Sequence, residues 1–320
     1  MVTLGPVFLF KGNMKQNATD IARMLTERLR EAFLSRVPAA RSYAAMVENK
    51  GGRIVIDHIG FRSLDMNTGE QPAGIQAVRH IFECFGFHAA GNYVLPKKKL
   101  KAIFLEHDAP DLPKIFVSQL NVQQLPGWAK LLLPEVVSET PYLLSDLGIE
   151  LLSRSKQDGQ LTSEAAEILT DELSGYFRRP WNPPPKDTVI KLNEVSHYAA
   201  WVLLHGNAPS HFAVLINAQE AKSLPNIETT VRALKNAGVA VKENIEGAKG
   251  DILRQSATYA VKEEIKVKSD DGPDEITWTY GYLELIERGW QETEDGPRLF
   301  QGFIEGQEKN IYDMTRTLDN

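Results

Sequence analysis

Arg53-Ile-Val-Ile-Asp-His-Ile-Gly-Phe-Arg62 and Ser210-His-Phe-Ala-Val-Leu-Ile-Asn217 are two short apolar runs, each with one histidine inside it. Runs of this length, rich in β-branched and aromatic residues, predict buried strands. The two runs lead into similar sequences. After the first comes a helix over Gly74 to Phe85, with Ile75, Val78, Ile81 and Phe82 on one face, stopping at Gly86. After the second comes a helix over Ile227 to Asn236, stopping at Gly238. Gly86 lies 28 residues after His58, and Gly238 lies 27 after His211. Strand candidates then lie around Gly91–Leu95, Leu100–Glu106 and Lys114–Leu120 in the first half. In the second they lie at Val239–Ile245, Leu253–Val261 and Ile276–Ile286. The order β-α-β-β-β therefore occurs twice, and an internal repeat of this kind organises the whole chain.

Outward from these strands, an amphipathic helix is predicted over Asn17 to Ala39, with Ile21, Met24, Leu25, Leu29 and Phe33 at helical spacing. Leu125 to Arg179 reads as mostly helical, with a helix start at Leu161-Thr-Ser-Glu, and another helix is expected near Leu192–Leu204. Trp181-Asn-Pro-Pro-Pro-Lys186 cannot be a helix interior, since its prolines lack N–H donors. It is read as a linker. This divides the chain into residues 1–180 (leading helix, first module and helical insert) and 181–320 (second module). The expected fold class is α+β, with paired βαβββ modules, added helices and one cavity shared by both halves.

Composition agrees with a globular domain of this size. Of 320 residues, 42% are hydrophobic and 24% charged, and no apolar run approaches the length of a bilayer span. Met1 to Phe10 is apolar but lacks a basic flank and a small-residue cleavage site, so it is read as an ordered or tag-like leader. The single Cys84 excludes an internal disulfide and is expected to be a buried helix residue, which favours a cytoplasmic setting. A net charge of −6 argues against a nucleic-acid partner. The cluster Lys97-Lys98-Lys99 with Lys101 is expected to be a solvated hairpin.

Paired modules curled around one cavity would point residues of their first and last strands into it. His58 and His211 lie on the first strands. Glu284 lies on the last, in Tyr282-Leu-Glu-Leu-Ile-Glu-Arg288. A carboxylate amid Leu283, Leu285 and Ile286 is costly to bury without a partner, and a metal would be one. Two imidazoles and a carboxylate are the facial set of non-haem iron(II) oxygenases, which leaves positions on the metal open. The fourth equivalent strand holds Ser118 and Gln119, poor ligands, so that corner is left for water, substrate or dioxygen. Each residue alone also fits a core role. His205 suits a helix end, and Glu287 falls on the opposite strand face. Arg62 is in phase with His58 about 13 Å along the strand. Its guanidinium could grip a carboxylate in bidentate fashion, or pair with a surface acid. Arg288 is in phase with Glu284, at the rim or at a solvated strand end. Gln255, Ser256 and Thr258 form a polar run that would supply hydrogen bonds to a substrate or form an edge strand. His80, His88, His107 and His197 are expected to be surface or structural residues.

Asp57-His-Ile-Gly-Phe-Arg62, Ser210-His-Phe-Ala-Val-Leu-Ile-Asn217 and Tyr282-Leu-Glu-Leu-Ile-Glu-Arg288 resemble the 2-oxoadipate dioxygenase/decarboxylase family, of the vicinal oxygen chelate superfamily. The last stretch is also similar to the Glu-Ile-Ile-Gln-Arg segment of 4-hydroxyphenylpyruvate dioxygenases, with Glu287 in place of Gln. The resemblance runs from about residue 15 onward, and Ser210 stands where Asn was expected. It implies iron(II) held by His58, His211 and Glu284, and a substrate carboxylate bound by Arg62. It also implies conversion of 2-oxoadipate and dioxygen to 2-hydroxyglutarate and carbon dioxide, in lysine catabolism. Three other readings stay open. One is a glyoxalase-like isomerase or lyase using zinc, nickel or manganese, the second an extradiol dioxygenase, and the third a small-molecule binding protein of the same fold.

Overall fold

The computed structural model describes residues 14–294, 296–304 and 315. The apolar leader, Met1 to Phe10, lies outside them. In chain order the first half contains β1 (Lys15–Asn17), α1 (Ala18–Arg36), α2 (Pro38–Asn49), β2 (Ile56–Leu64), α3 (Ile75–Glu83), β3 (His88–Leu95), β4 (Leu100–Glu106) and β5 (Lys114–Leu120). A helical stretch comes next, with α4 (Gly127–Val137), α5 (Asp146–Asp158), β6 (Gln160–Thr162), α6 (Ser163–Tyr176), α7 (Lys186–Val195) and α8 (His197–His205). The remainder is β7 (Pro209–Leu215), α9 (Ile227–Asn236), β8 (Leu253–Ala257), β9 (Lys262–Ser269), β10 (Gly272–Thr279), β11 (Tyr282–Arg288), β12 (Trp290–Thr293) and β13 (Gly296–Leu299). No helix among the described residues is long and apolar enough to cross a membrane.

A curled seven-stranded sheet runs in the order β3-β4-β5-β2-β7-β11-β8. The repeat is visible in it. β2 pairs in parallel with β5, which pairs antiparallel with β4. Likewise β7 pairs in parallel with β11, which pairs antiparallel with β8. The two sets meet at the antiparallel β2–β7 pair. Both glycine stops behave as predicted. Gly86 and Gly238 come after α3 and α9 with φ of 92° and 80°, the left-handed region where a side chain is strained.

Alternation along the strands separates two faces. Ile59, Phe61, Phe212, Val214, Leu283 and Leu285 point into the main core, which includes α1 residues Ile21, Leu25, Leu29 and Phe33. The opposite, concave face carries His58, Arg62, His211 and Glu284. The segment 125–179 stands apart from that face. Its α6 packs on α1, where Arg28 forms ion pairs with Glu167 and Asp171. Cys84 is buried beside α3, as expected.

Four expectations need correction. The leading helix is two helices, because Pro38 holds Val37 extended (φ −113°, ψ 91°) and starts α2 at its own first turn. The helix expected over Leu192–Leu204 is likewise split, with Ser196 capping α8. Residues 239–245 form no strand. They run beside β8 through isolated bridges at Val241–Thr258 and Glu246–Gln255, in the place that β3 takes beside β4. The run is interrupted by the polar Lys242-Glu243-Asn244 and reaches Gly247 and Gly250, both at positive φ. Finally, Ile276–Ile286 is not one strand. β10 forms a separate hairpin with β9, and the chain breaks at Tyr280-Gly281 before β11 enters the sheet.

Phe61 tests the core beneath the site. It is 1% exposed and its ring meets Phe82 and Phe177 at 6.1 and 5.0 Å. Phe61→Ala is expected to lower unfolding free energy by about 3–5 kcal/mol, read as a shift of the urea midpoint.

Candidate metal centre

The antiparallel register sets Gly60 of β2 opposite His211 of β7, and His58 opposite Ala213. β11 runs beside β7 with Glu284 opposite Ala213. Three side chains from three adjacent strands thus converge on the concave face. His58 Nε2 lies 3.1 Å from His211 Nε2, and Glu284 Oε2 lies 3.3 and 3.5 Å from these two atoms. All three residues are buried. Among the described residues they are the one group of this kind able to hold a metal ion.

Hydrogen bonding at the far ring nitrogens decides which atoms face the centre. His58 Nδ1 lies 2.8 Å from Asp57 Oδ1. That carboxylate can only accept, so Nδ1 carries the proton and Nε2 turns its lone pair inward. The Ser210 hydroxyl donates to Gly60 O at 3.2 Å, which leaves its oxygen to accept from His211 Nδ1 at 3.1 Å. Glu284 Oε2 is buried and has no hydrogen-bond partner among the described residues. With His58 neutral, three acceptors converge on one another, an arrangement that a shared cation would satisfy. Donor atoms about 2.1 Å from a shared ion lie roughly 3.0–3.4 Å apart at octahedral to tetrahedral angles; two of the observed spacings, 3.1 and 3.3 Å, fall within that range and the third, 3.5 Å, lies just above it.

The charges around the centre are unequal. Burial opposes a charge on His58, but the hydrogen bond to Asp57 and the neighbouring Glu284 carboxylate outweigh it and raise its pKa. Burial, then His58 and Arg62, hold the pKa of His211 well below the ordinary value, so that ring is neutral. Burial would push Asp57 up, yet the Arg288 ion pair and His58 hold it well below the usual carboxylate range.

The triad opens on a cavity of about 40 Å³, room for a few water molecules. Tyr93, Phe116, Leu253, Phe303 and Ile304 form its apolar walls, and Arg62, Ser118 and Gln255 its polar ones. Arg62 is buried, donates to Thr315 Oγ1 at 2.5 Å, and lies 5.3 and 5.0 Å over the rings of Tyr198 and Trp201. Ser118, in register with Arg62, is hydrogen-bonded to Tyr198 and Phe61. No fourth ligating side chain joins the group among the described residues.

The remaining expected residues divide between those that keep their expected place and those that do not. Gln255 lines the cavity, and its amide donates to Glu246 at 2.8 Å. Ser256 alternates to the other face of β8. The Thr258 hydroxyl accepts from Leu283 N and serves the strand end. Arg288 is neither at a rim nor solvated. It is 2% exposed and holds Asp57 through two hydrogen bonds, of 2.5 and 2.8 Å. The placements of Ser256, Thr258 and Arg288 are corrections to the expected substrate contacts, while Gln255 keeps its place. Glu287 does face away, pairing with Arg254 and accepting from Ile227 N. His205 ends α8, with its ring on Thr279 O.

Asp57 escaped the sequence reading because strict alternation would turn it away from His58. The β2–β7 register shifts between Ile56 and His58, and such a bulge re-aims a side chain. The available signal was an acid inside the run Ile54–Ile59. Phe303 and Ile304, beyond the last predicted strand, carried no signal.

The chain belongs to the 2-oxoadipate dioxygenase/decarboxylase family, whose model matches residues 17–319. The chloroplastic/amyloplastic 2-oxoadipate dioxygenase/decarboxylase of Oryza sativa subsp. japonica is 24% identical over 264 residues. That match covers 77% of this chain but 64% of the rice protein, so the chain spans under two thirds of that relative's length. The crystal structure of the Oryza sativa hydroxyglutarate synthase in complex with 2-oxoadipate superposes with a TM-score of 0.69 at 21% identity, covering 99% of this chain and 98% of that one. A protein of Ralstonia eutropha JMP134 described as of the glyoxalase superfamily gives a TM-score of 0.82 at 24% identity, covering 93% and 89%. Fold class and family therefore agree with the expectation from the sequence.

Gly60 is the positional test of the centre. A Cβ built there would lie 2.0 Å from His211 Cε1. Gly60→Ala is expected to push the imidazole aside, leave the circular dichroism spectrum unchanged, and weaken zinc binding by at least about tenfold, read by calorimetry.

Proposed function

We propose that this member of the family is an iron(II)-dependent dioxygenase that decarboxylates a 2-oxo dicarboxylic acid, with 2-oxoadipate as substrate. One oxygen molecule and one 2-oxoadipate would yield 2-hydroxyglutarate and carbon dioxide, the substrate itself being the reductant. The observation that carries this reading is the buried, converging His58–His211–Glu284 set with no fourth protein ligand among the described residues. That donor set suits iron(II) with positions left open. When bound there, the ion would supply activation of dioxygen and polarisation of the 2-oxo acid.

The chain's own groups account for the rest. Arg62 would bind a substrate carboxylate, its planar fork matching two oxygens. A carboxylate arriving there would compete with the Thr315 hydroxyl, a weaker acceptor because it is neutral. Tyr198 and Trp201, beneath the guanidinium, hold its orientation. Tyr93, Phe116 and Phe303 exclude water from the methylene chain between the two ends of the acid. The Gln255 amide, fixed by Glu246, would contribute a polar contact on the β8 side. The glyoxalase-like reading has less support, because Ser118 occupies the fourth corner and is engaged with Phe61 and Tyr198.

The test is oxygen uptake by anaerobically iron(II)-loaded protein on addition of 2-oxoadipate. Uptake matched by 2-hydroxyglutarate and abolished in His58→Ala is the expected result. Protein that holds iron but takes up no oxygen would overturn the substrate assignment. Arg62→Ala is expected to raise KM by roughly 10- to 100-fold, the size of a lost charge-assisted hydrogen bond, while iron content stays the same. An unchanged KM would remove Arg62 from the carboxylate site.

A further inference from the structure

Arg288 spends its donors on two different parts of the molecule. Its Nε and Nη2 hold both oxygens of Asp57, and the same carboxylate accepts from His58 Nδ1. Its Nη1 donates to Phe300 O at 2.9 Å and Gly302 O at 2.8 Å. Its own backbone is fixed on both sides by Asn217, which accepts from Arg288 N and donates to Arg288 O. Residues 300–304 form part of the cavity wall through Phe303 and Ile304. Phe303 closes the circuit, since its ring meets that of His58 edge to face at 5.0 Å and lies 5.5 Å from the Arg288 guanidinium. Further ties hold the same segment: Lys114 Nζ donates to Gln301 Oε1 at 2.7 Å, and Phe303 N donates to the Tyr93 hydroxyl at 3.3 Å.

We infer that Asp57 and Arg288 are a positioning pair that couples the orientation of His58 to the seating of residues 300–304 over the cavity. The inference rests on the reading that His58, His211 and Glu284 hold a metal. A carboxylate behind a metal-binding imidazole fixes its tautomer and rotation and raises its basicity. Here that carboxylate is itself fixed by a guanidinium whose remaining donors grip the cover. Occupation of the triad and closure of the cavity are therefore one linked event, and by linkage each stabilises the other. A lysine at 288 would retain the charge but could not serve two oxygens and two carbonyls in a planar fork.

Zinc, which needs no reductant or oxygen, is the probe. In the wild-type chain, amide hydrogen exchange in a peptide spanning residues 299–304 is expected to slow at least about tenfold when zinc is added. This measurement needs no variant. Asp57→Asn is expected to weaken zinc binding by about 10- to 100-fold. Arg288→Gln is expected to abolish the zinc-dependent slowing at 299–304 while the strand amides of β2 and β7 keep theirs. The double variant should bind zinc no more weakly than Asp57→Asn alone, because Arg288 acts on the metal through Asp57. A merely structural role would move stability and leave this coupling untouched. Zinc bound by the wild type with unchanged exchange at 299–304 would overturn the inference. So would zinc affinity within twofold of wild type in folded Asp57→Asn. Failure of the wild type to bind zinc at all would instead remove the metal reading on which the pair depends.

Discussion

Pairing of β2 with β7 brings the two halves of the chain into one sheet, and the site exists because of its register. Gly60 lies opposite His211 and His58 opposite Ala213. The histidines are thus offset by two residues on neighbouring strands, close enough for their Nε2 atoms to meet at 3.1 Å. The residues opposite them are glycine and alanine, which leave the imidazoles room. A slip of one residue in either strand would turn that strand's histidine to the helix-packed face and separate the two rings. That face is filled by Phe61, Phe212 and Val214, so apolar burial there holds the register and, through it, the polar geometry on the other side.

Concentrating so many ionisable groups in an apolar fold carries a desolvation cost, and the structure offsets it in layers. Asp57 and Arg288 satisfy each other in full, with the surplus donors of the guanidinium placed on backbone carbonyls. Breaking such a pair is far more costly than never having built it. The inner layer is different. Glu284 and the two imidazoles turn toward one another, and Glu284 Oε2 has no hydrogen-bond partner among the described residues. A satisfied outer shell around an unsatisfied inner one distinguishes a ligand-holding site from a structural ion-pair network.

Much of the site is legible in the sequence, and the reason is the repeat. One histidine in one strand says little, but the same element order around His58 and His211 gives each a spatial meaning, and Glu284 stands out because a carboxylate among leucines must be accounted for. The misreadings have physical causes as well. Gln255, Ser256 and Thr258 look like one polar run, yet period-two alternation sends only Gln255 to the cavity, and Thr258 lies past the strand end. Arg288 is correctly phased with Glu284, but its partner is hidden by a bulge at Asp57 that no spacing rule reveals. A second helix at Pro38–Asn49 escapes notice although Ala40, Tyr43 and Val47 recur at helical spacing. The break at Tyr280-Gly281 is masked because strand-forming residues continue on both sides of it.

The two halves also differ, and the difference has a use. Where β3 lies along β4 in the first half, the second half has only two bridges beside β8, ending in glycines. The first half is therefore the larger wall, contributing Tyr93, Leu95 and Phe116, while β8 offers the smaller Leu253 and Gln255. The cavity is completed by residues 300–304, which belong to neither repeat. Phe303 packs on Tyr93, Phe104 and Phe116 of the first half. Its backbone neighbours are gripped by Arg288 of the second. A symmetric pair of modules would leave an open trough. Asymmetry, together with a strap that bridges both sides, turns that trough into a partly covered cavity in which Arg62 and the triad are buried, where a charged group discriminates its partners most strongly.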